Sequence, residues 1–195
     1  MIKIESSARV KFLLVRDGST DFDIQGRILG SLDLPLSATG EAEVQQLADE
    51  LNGLQIDAIY SAACQAAQQT AQQISLNAKV KVRIDEKLTN LNCGLWHGKS
   101  LSELRETQPT LFRQWKEHPE AVRPPEGETI EVVRKRVVAL LKKIRRRFKS
   151  GLVVIVAPEP LLSIIRCEIN SQPMNECNSP KCGGWEYVEL LEPAV

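Results

Sequence analysis

The chain has little histidine: two in 195 residues, His97 and His118. It also has no net charge, because 25 lysines and arginines balance 25 aspartates and glutamates. Zero net charge removes any global attraction to nucleic acid or to an anionic membrane surface. Long apolar runs are missing as well. Lys3 and Arg9 precede an apolar stretch, but it covers only Val10 to Val15 and Lys11 interrupts it. That is too short for a signal sequence or a membrane span, so the expected location is the cytoplasm. Five cysteines (Cys64, Cys93, Cys167, Cys177 and Cys182) form no regular framework. Their odd number fits a reducing compartment and free thiols. Cys167, Cys177 and Cys182 are too widely spaced, and too far from any histidine, to suggest zinc. No metal or cofactor is expected. No repeat, low-complexity tract or linker divides the chain. With 43% apolar residues, residues 1–195 suffice for one domain with a substantial core.

The chain is organised around residues 10–20. An apolar β-type run ends in Arg16 and Asp17, Gly18 breaks it, and Ser19 and Thr20 follow. Open α/β sheets place their sites where a buried strand delivers charged side chains at its C-terminal end. A buried first strand with a polar turn explains the same residues without any function.

Residues 1–9 form a polar arm before the strand 10–16. A loop at 17–38 is long enough to be functional or tightly packed. A helix then begins at Gly40-Glu41. Val44, Leu47, Ala48 and Leu51 recur at helical spacing, and Asn52-Gly53 stops it. Residues 56–60 read as a second strand, with Ser61 capping a helix over Ala62 to Ile74. A third strand alternates at 80–84, and 88–98 form a loop. Short helices are predicted at 100–107 and 109–117, the second with Leu111, Phe112 and Trp115 on one side. Thr129 caps the longest helix, about 130–148. Its apolar face carries Val133, Val137, Leu140, Leu141 and Ile144, and its basic end from Lys142 to Lys149 suits the helix dipole as a solvated face. A strand at 152–157, a helix at 161–169, an irregular loop at 170–184 and a strand at 185–191 complete the chain. Strands alternating with helices predict an α/β three-layer sandwich, a mostly parallel central sheet with helices on both faces.

The residues in this order resemble the histidine phosphatase superfamily, which includes the phosphoglycerate mutases and acid phosphatases. Arg16-Asp17-Gly18-Ser19-Thr20 is similar to that family's Arg-His-Gly-x-Thr. The loop to Gly26-Arg27, then Gly30, Asp33, Pro35-Leu36 and Gly40, resembles the segment that follows. Tyr60-Ser61 and Thr70-Ala71 match the ends of the second-strand motif. Leu88, Gly94, Trp96 and Gly98 match the next, and Gly127-Glu128-Thr129 a later turn. The resemblance implies a phosphoglycerate mutase-like fold throughout.

It also implies a degenerate site. Asp17 stands where the family's phosphorylated histidine would be, beside a retained phosphate-binding arginine, Arg16. Asp23 replaces a phosphate-contacting asparagine, and Ala66 a second arginine. Asn90 replaces a proton-donating carboxylate. Pro158 replaces the second histidine, with Glu159 after it. Imidazole attacks phosphorus as a neutral group, whereas a carboxylate must bring one anion to another. Like unit charges at about 4 Å repel by roughly 1 kcal/mol in water and roughly 4 at an effective dielectric of 20. The changed positions leave the pocket more negative than the family pattern. No lysine and second carboxylate cluster stand out to offset this with Mg²⁺.

The expected function is therefore a catalytically inactive family member, a pseudoenzyme with a binding or regulatory role. Its partner would be an unidentified protein or small molecule. On that expectation Arg16 pairs with Asp17 or Asp23 and shuts the old pocket. The alternative is a phosphomonoesterase or phosphoglycerate mutase-type enzyme with an altered site. A third possibility is an open acidic pocket for a cationic ligand. Arg16, Asp17, Ser61 and His97 are the candidate ligand-binding residues. His97 reads first as a loop residue at the pocket rim, and His118 as a solvated helix end.

Overall fold

The computed structural model describes residues 10–174 and 182–189. The expected arm at 1–9, Cys177 and residues 190–191 of the expected last strand lie outside them. Five strands form one sheet in the order β3-β2-β4-β1-β5. They are β1 (Val10–Arg16), β2 (Ala58–Ser61), β3 (Val82–Ile84), β4 (Gly151–Ala157) and β5 (Trp185–Glu189). β1 to β4 run parallel, and β5 pairs antiparallel with β1. The sheet is thus mixed but mostly parallel, as the strand–helix alternation implies.

Among the described residues, seven α-helices connect and cover it: α1 (Asp21–Ile24), α2 (Ala38–Glu50), α3 (Gln65–Ala78), α4 (Leu101–Thr107), α5 (Pro109–Glu117), α6 (Ile130–Arg147) and α7 (Leu161–Asn170). Alternate strand residues point to opposite faces. Phe12, Leu13, Leu14 and Val15 are nevertheless all buried, as are Val153 through Ala157. Both faces of the central strands are therefore covered, which is why these strands read as unbroken apolar runs. Lys11, the one charge within the β1 run, is buried with its ammonium over the Tyr187 ring. The apolar face expected of α6 is buried through Val133, Val137, Leu140, Leu141 and Ile144.

Several local expectations need correction. β2 extends through Ser61, whose hydroxyl donates to the Ala62 carbonyl rather than capping a helix. α3 starts only at Gln65, after Cys64, so a good capping residue was spent on the strand. The loop at 17–38 contains the single-turn α1, capped by Thr20, and α2 begins at Ala38 because Ser37 accepts from the Gly40 N–H. Thr129 does occupy the cap position of α6 but makes no side-chain cap bond. Cys64, Cys93 and Cys182 are free. Cys167 is disulfide-bonded, which corrects the expectation of five free thiols and removes the support it gave to a reducing compartment. Sequence spacing alone could not show that Cys167, near the end of α7, meets another sulfur. Among the described residues no helix is long and apolar enough to cross a membrane.

Candidate functional site

The parallel register of β1 and β4 sets Arg16 opposite Ala157. The residues that follow, Asp17 on one strand and Pro158-Glu159 on the other, therefore leave the sheet side by side. The Asp17 N–H donates to the Ala157 carbonyl, and the Asp17 carbonyl accepts from the Gly183 N–H at 3.0 Å. The next turn is fixed by bonds on every side. The Gly18 N–H donates to Thr70 Oγ1 at 3.2 Å. Both the N–H and the hydroxyl of Ser19 donate to the Glu43 carboxylate, at 2.8 and 2.9 Å. The Ser37 hydroxyl donates to the Ser19 carbonyl at 2.8 Å. Gly40 is needed because a Cβ there would collide with that same Ser19 carbonyl.

Above this edge lies a cavity of about 240 Å³. Its floor holds Arg16, Asp17, Asp23, Pro158 and Glu159. Its wall is apolar, with Leu29, Trp96, Leu101, Leu104, Phe112 and Trp115. Trp96 and Trp115 meet edge to face, centroids 5.4 Å apart, a favourable aromatic geometry. The Trp96 indole N–H is satisfied by Gln108 Oε1 at 3.1 Å. Most of this wall is carried by α4 and α5. Sequence periodicity put Phe112 and Trp115 on one helix face, but it could not show that the face closes a cavity over β1 and β4.

Arg16 Nη2 and Asp23 Oδ1 form an ion pair at 3.2 Å. The other Asp23 oxygen accepts from the Thr20 N–H at 2.9 Å and the Thr20 hydroxyl at 2.6 Å. This is the expected arginine–carboxylate pair, yet it does not shut the pocket. Pairing with Asp23, which Thr20 anchors at the start of α1, leaves the space between the floor and the Trp96–Trp115 wall open. Arg27 also reaches the cavity, but its Nη1 donates to the Gly98 carbonyl at 2.6 Å and lies 3.8 Å from Glu103.

Asp17 differs from its neighbours. It is 5% exposed, and its Oδ2 has no hydrogen-bond partner. Burial, first, and then the nearby Asp23 push its pKa up from 3.8 to about 8. Glu159 adds to the rise, and Arg16 opposes it. Burial and the neighbouring carboxylates thus favour the protonated form of Asp17. Glu159 Oε1 is also buried without a partner.

Four candidate positions do not line the cavity. Ser61 is fully buried at the end of β2, and Ala66 is buried in the first turn of α3. Asn90 is a brace. Its amide donates to the Gly30 and Glu159 carbonyls, both at 2.8 Å, while its oxygen accepts from the N–H groups of Leu91 and Leu161 at 2.9 and 3.2 Å. His97 turns away into its own loop, where its Nε2 accepts from the N–H groups of Ser31 and Cys93, both at 3.2 Å. Burial lowers its pKa, in keeping with a neutral ring acting as acceptor. Gly30, at φ +54°, makes room for that ring: a Cβ there would lie 2.5 Å from His97 Nε2. His118 is exposed at the end of α5. Neither of the chain's two histidines lines the cavity. Among the described residues no group of three or more His, Cys, Asp or Glu could hold a metal ion.

The profile of the histidine phosphatase superfamily (branch 1) matches residues 12–190. The chain belongs to that superfamily. Among its relatives in the superfamily, phosphoserine phosphatase 1 of Hydrogenobacter thermophilus is 29% identical over 178 residues, covering 91% of this chain and 84% of the relative. A mycobacterial glucosyl-3-phosphoglycerate phosphatase, solved with VO3, superposes with a TM-score of 0.84 at 23% identity, covering 91% of both chains. An Entamoeba histolytica phosphoserine phosphatase mutant, solved with phosphoserine, superposes at 0.80 with 20% identity, over 91% of this chain and 89% of the other. The superfamily fold therefore extends along nearly the whole chain.

Proposed function

We propose that the protein is a non-catalytic member of the histidine phosphatase superfamily whose cavity binds a ligand instead of transferring a phosphoryl group. The observation that supports this most is the pair of residues at the strand ends, Asp17 after β1 and Pro158 after β4, in a cavity that no imidazole lines. Burial disfavours the anionic form of Asp17 that would have to attack phosphorus, and Pro158 has no N–H to stabilise an equatorial oxygen. Ala66 supplies no charge, and Asn90 spends its whole hydrogen-bonding capacity on the backbone.

A second function is favoured by the phosphoserine phosphatase relative, which aligns over 91% of this chain. On it the protein is a phosphomonoesterase that has replaced its machinery. Hydrolysis of a generic aryl phosphate and of phosphoserine, from pH 4 to 9 with and without Mg²⁺, separates the two. Asp17→Ala, purified identically, is the control. Equal background rates in both proteins are expected. A rate well above background that collapses in Asp17→Ala would overturn the proposal.

A further inference from the structure

Six ionisable groups line the cavity: Arg16, Asp17, Asp23, Arg27, Glu159 and the Cys93 thiol. Both guanidinium groups already face carboxylates, Arg16 with Asp23 at 3.2 Å and Arg27 with Glu103 at 3.8 Å. What remains is an excess of acid. Asp17 is 5% exposed with an unpartnered Oδ2, and Glu159 has a buried, unpartnered Oε1. A buried polar atom without a partner is costly and calls for a ligand or water to satisfy it. The apolar part of the lining is hydrocarbon and indole, including Trp96, Leu104, Phe112 and Trp115.

We propose that this cavity takes an amphiphilic monocation, an alkyl or aryl ammonium whose charged head sits between Asp17 and Glu159 and whose apolar body lies against the Trp96–Trp115 wall. This rests on the cavity being a binding site rather than a phosphoryl-transfer site. The head would face both of these carboxyl-bearing residues of the lining. Tryptophan faces also favour a cation held near them. A phosphate would instead meet two acids, with Arg16 already facing Asp23 and Arg27 near Glu103.

Binding would displace the Asp17 proton. The groups facing Asp17 are Arg16 on its own strand, Asp23 on α1, Glu159 after β4 and the Cys64 thiol before α3. The thiol is held neutral by a pKa pushed up to about 12. An alkylammonium stays charged to pH 9, as a lysine does. Its apparent affinity should therefore rise about tenfold from pH 7 to pH 9, as the Asp17 proton ceases to compete.

The test uses four probes of equal chain length on the full chain: hexylamine, hexanol, hexanoate and hexyl phosphate. Binding is read by calorimetry in two buffers of different ionisation enthalpy and by tryptophan fluorescence. The expected result is saturable binding of hexylamine, at least about tenfold tighter than hexanol or hexanoate, with proton release at pH 7. Asp17→Asn and Glu159→Gln should each weaken it about fivefold or more, and Asp17→Asn should abolish the proton release. Hexylamine binding no tighter than hexanol overturns the inference. So does an amine preference that survives in the double variant. Tightest binding of hexyl phosphate without turnover would overturn the cation but leave the non-catalytic function standing, whereas hydrolysis of hexyl phosphate would overturn that function itself. The ligand series on the unaltered protein decides the matter even if a variant fails to fold.

Discussion

Asn90 and Asp17 are both buried polar residues at positions where the superfamily resemblance implies catalysis, and they have opposite fates. Asn90 makes four hydrogen bonds, all to backbone, tying the Gly30 loop to the start of α7. Asp17 keeps one buried oxygen without a hydrogen-bond partner. Asn90 is part of the scaffold, where an amide, with donors and an acceptor, does what a carboxylate cannot. Asp17 lines the cavity with an unsatisfied oxygen, at a cost in stability.

The largest effect should come from breaking the brace. Asn90→Asp would set a carboxylate against the Gly30 and Glu159 carbonyls and remove both donors. A loss of roughly 3–5 kcal/mol in unfolding free energy is expected, measured by urea denaturation. A loss below about 1 kcal/mol would mean that the brace is not the contact that matters.

Asp17→Asn should act in the other direction. The folded-state pKa of Asp17 is raised, so the folded protein holds a proton that the unfolded chain releases. Its contribution is fully present below about pH 4 and is lost as pH rises through about 8. The full shift corresponds to roughly 6 kcal/mol as an upper bound. Asp17→Asn should therefore be more stable than the parent by about 2 kcal/mol or more at pH 8.5, with the gap closing towards pH 4. Thermal unfolding of both proteins across this range checks it. An unchanged gap would show that Asp17 is solvated.

A smaller effect is expected where pairing and capping coincide. Asp23→Ala removes the partner of Arg16 and the reciprocal bonds with Thr20, and should cost about 1–2 kcal/mol. His97→Gln should change stability least. The His97 pKa is lowered in the folded protein, so its contribution is present above the ordinary histidine range and is lost as pH falls through the folded value. That slope opposes the Asp17 slope, and His97→Gln should flatten stability on the acid side of pH 6.5 alone.

The same contrast explains what could be read from the chain. β1 was legible from its apolar run and its charged end, and α6 from its 3.6-residue periodicity, because in each the residue pattern itself is what packs. The charge pattern narrows the partner of Arg16 to Asp17 or Asp23, and the choice of Asp23 needs the turn that α1 makes. The brace of Asn90 was illegible: its partners are backbone groups at Gly30, Glu159 and Leu161, far away in sequence and carrying no side-chain signature. Ser61 misled for the converse reason, since a serine before an alanine-rich run is a good cap, but β2 needed one more residue to pair with Ile84 and Val156. Nothing in the sequence marks Glu159 beyond its place after Pro158, and its orphan oxygen becomes visible only when β4 is set beside β1.

The antiparallel seat of β5 against β1 has a consequence for how the protein is made. Arg16 N–H donates to the Gly184 carbonyl and Gly183 N–H to the Asp17 carbonyl, so the cavity floor is closed by a segment at the far end of the described chain. During translation β1 leaves the ribosome early with neither flanking strand yet synthesised. It must wait, apolar and unpaired, for β4 and then for residues 183–189. Such an order places the chain's greatest exposure to chaperones and misassembly before the floor of its own site exists.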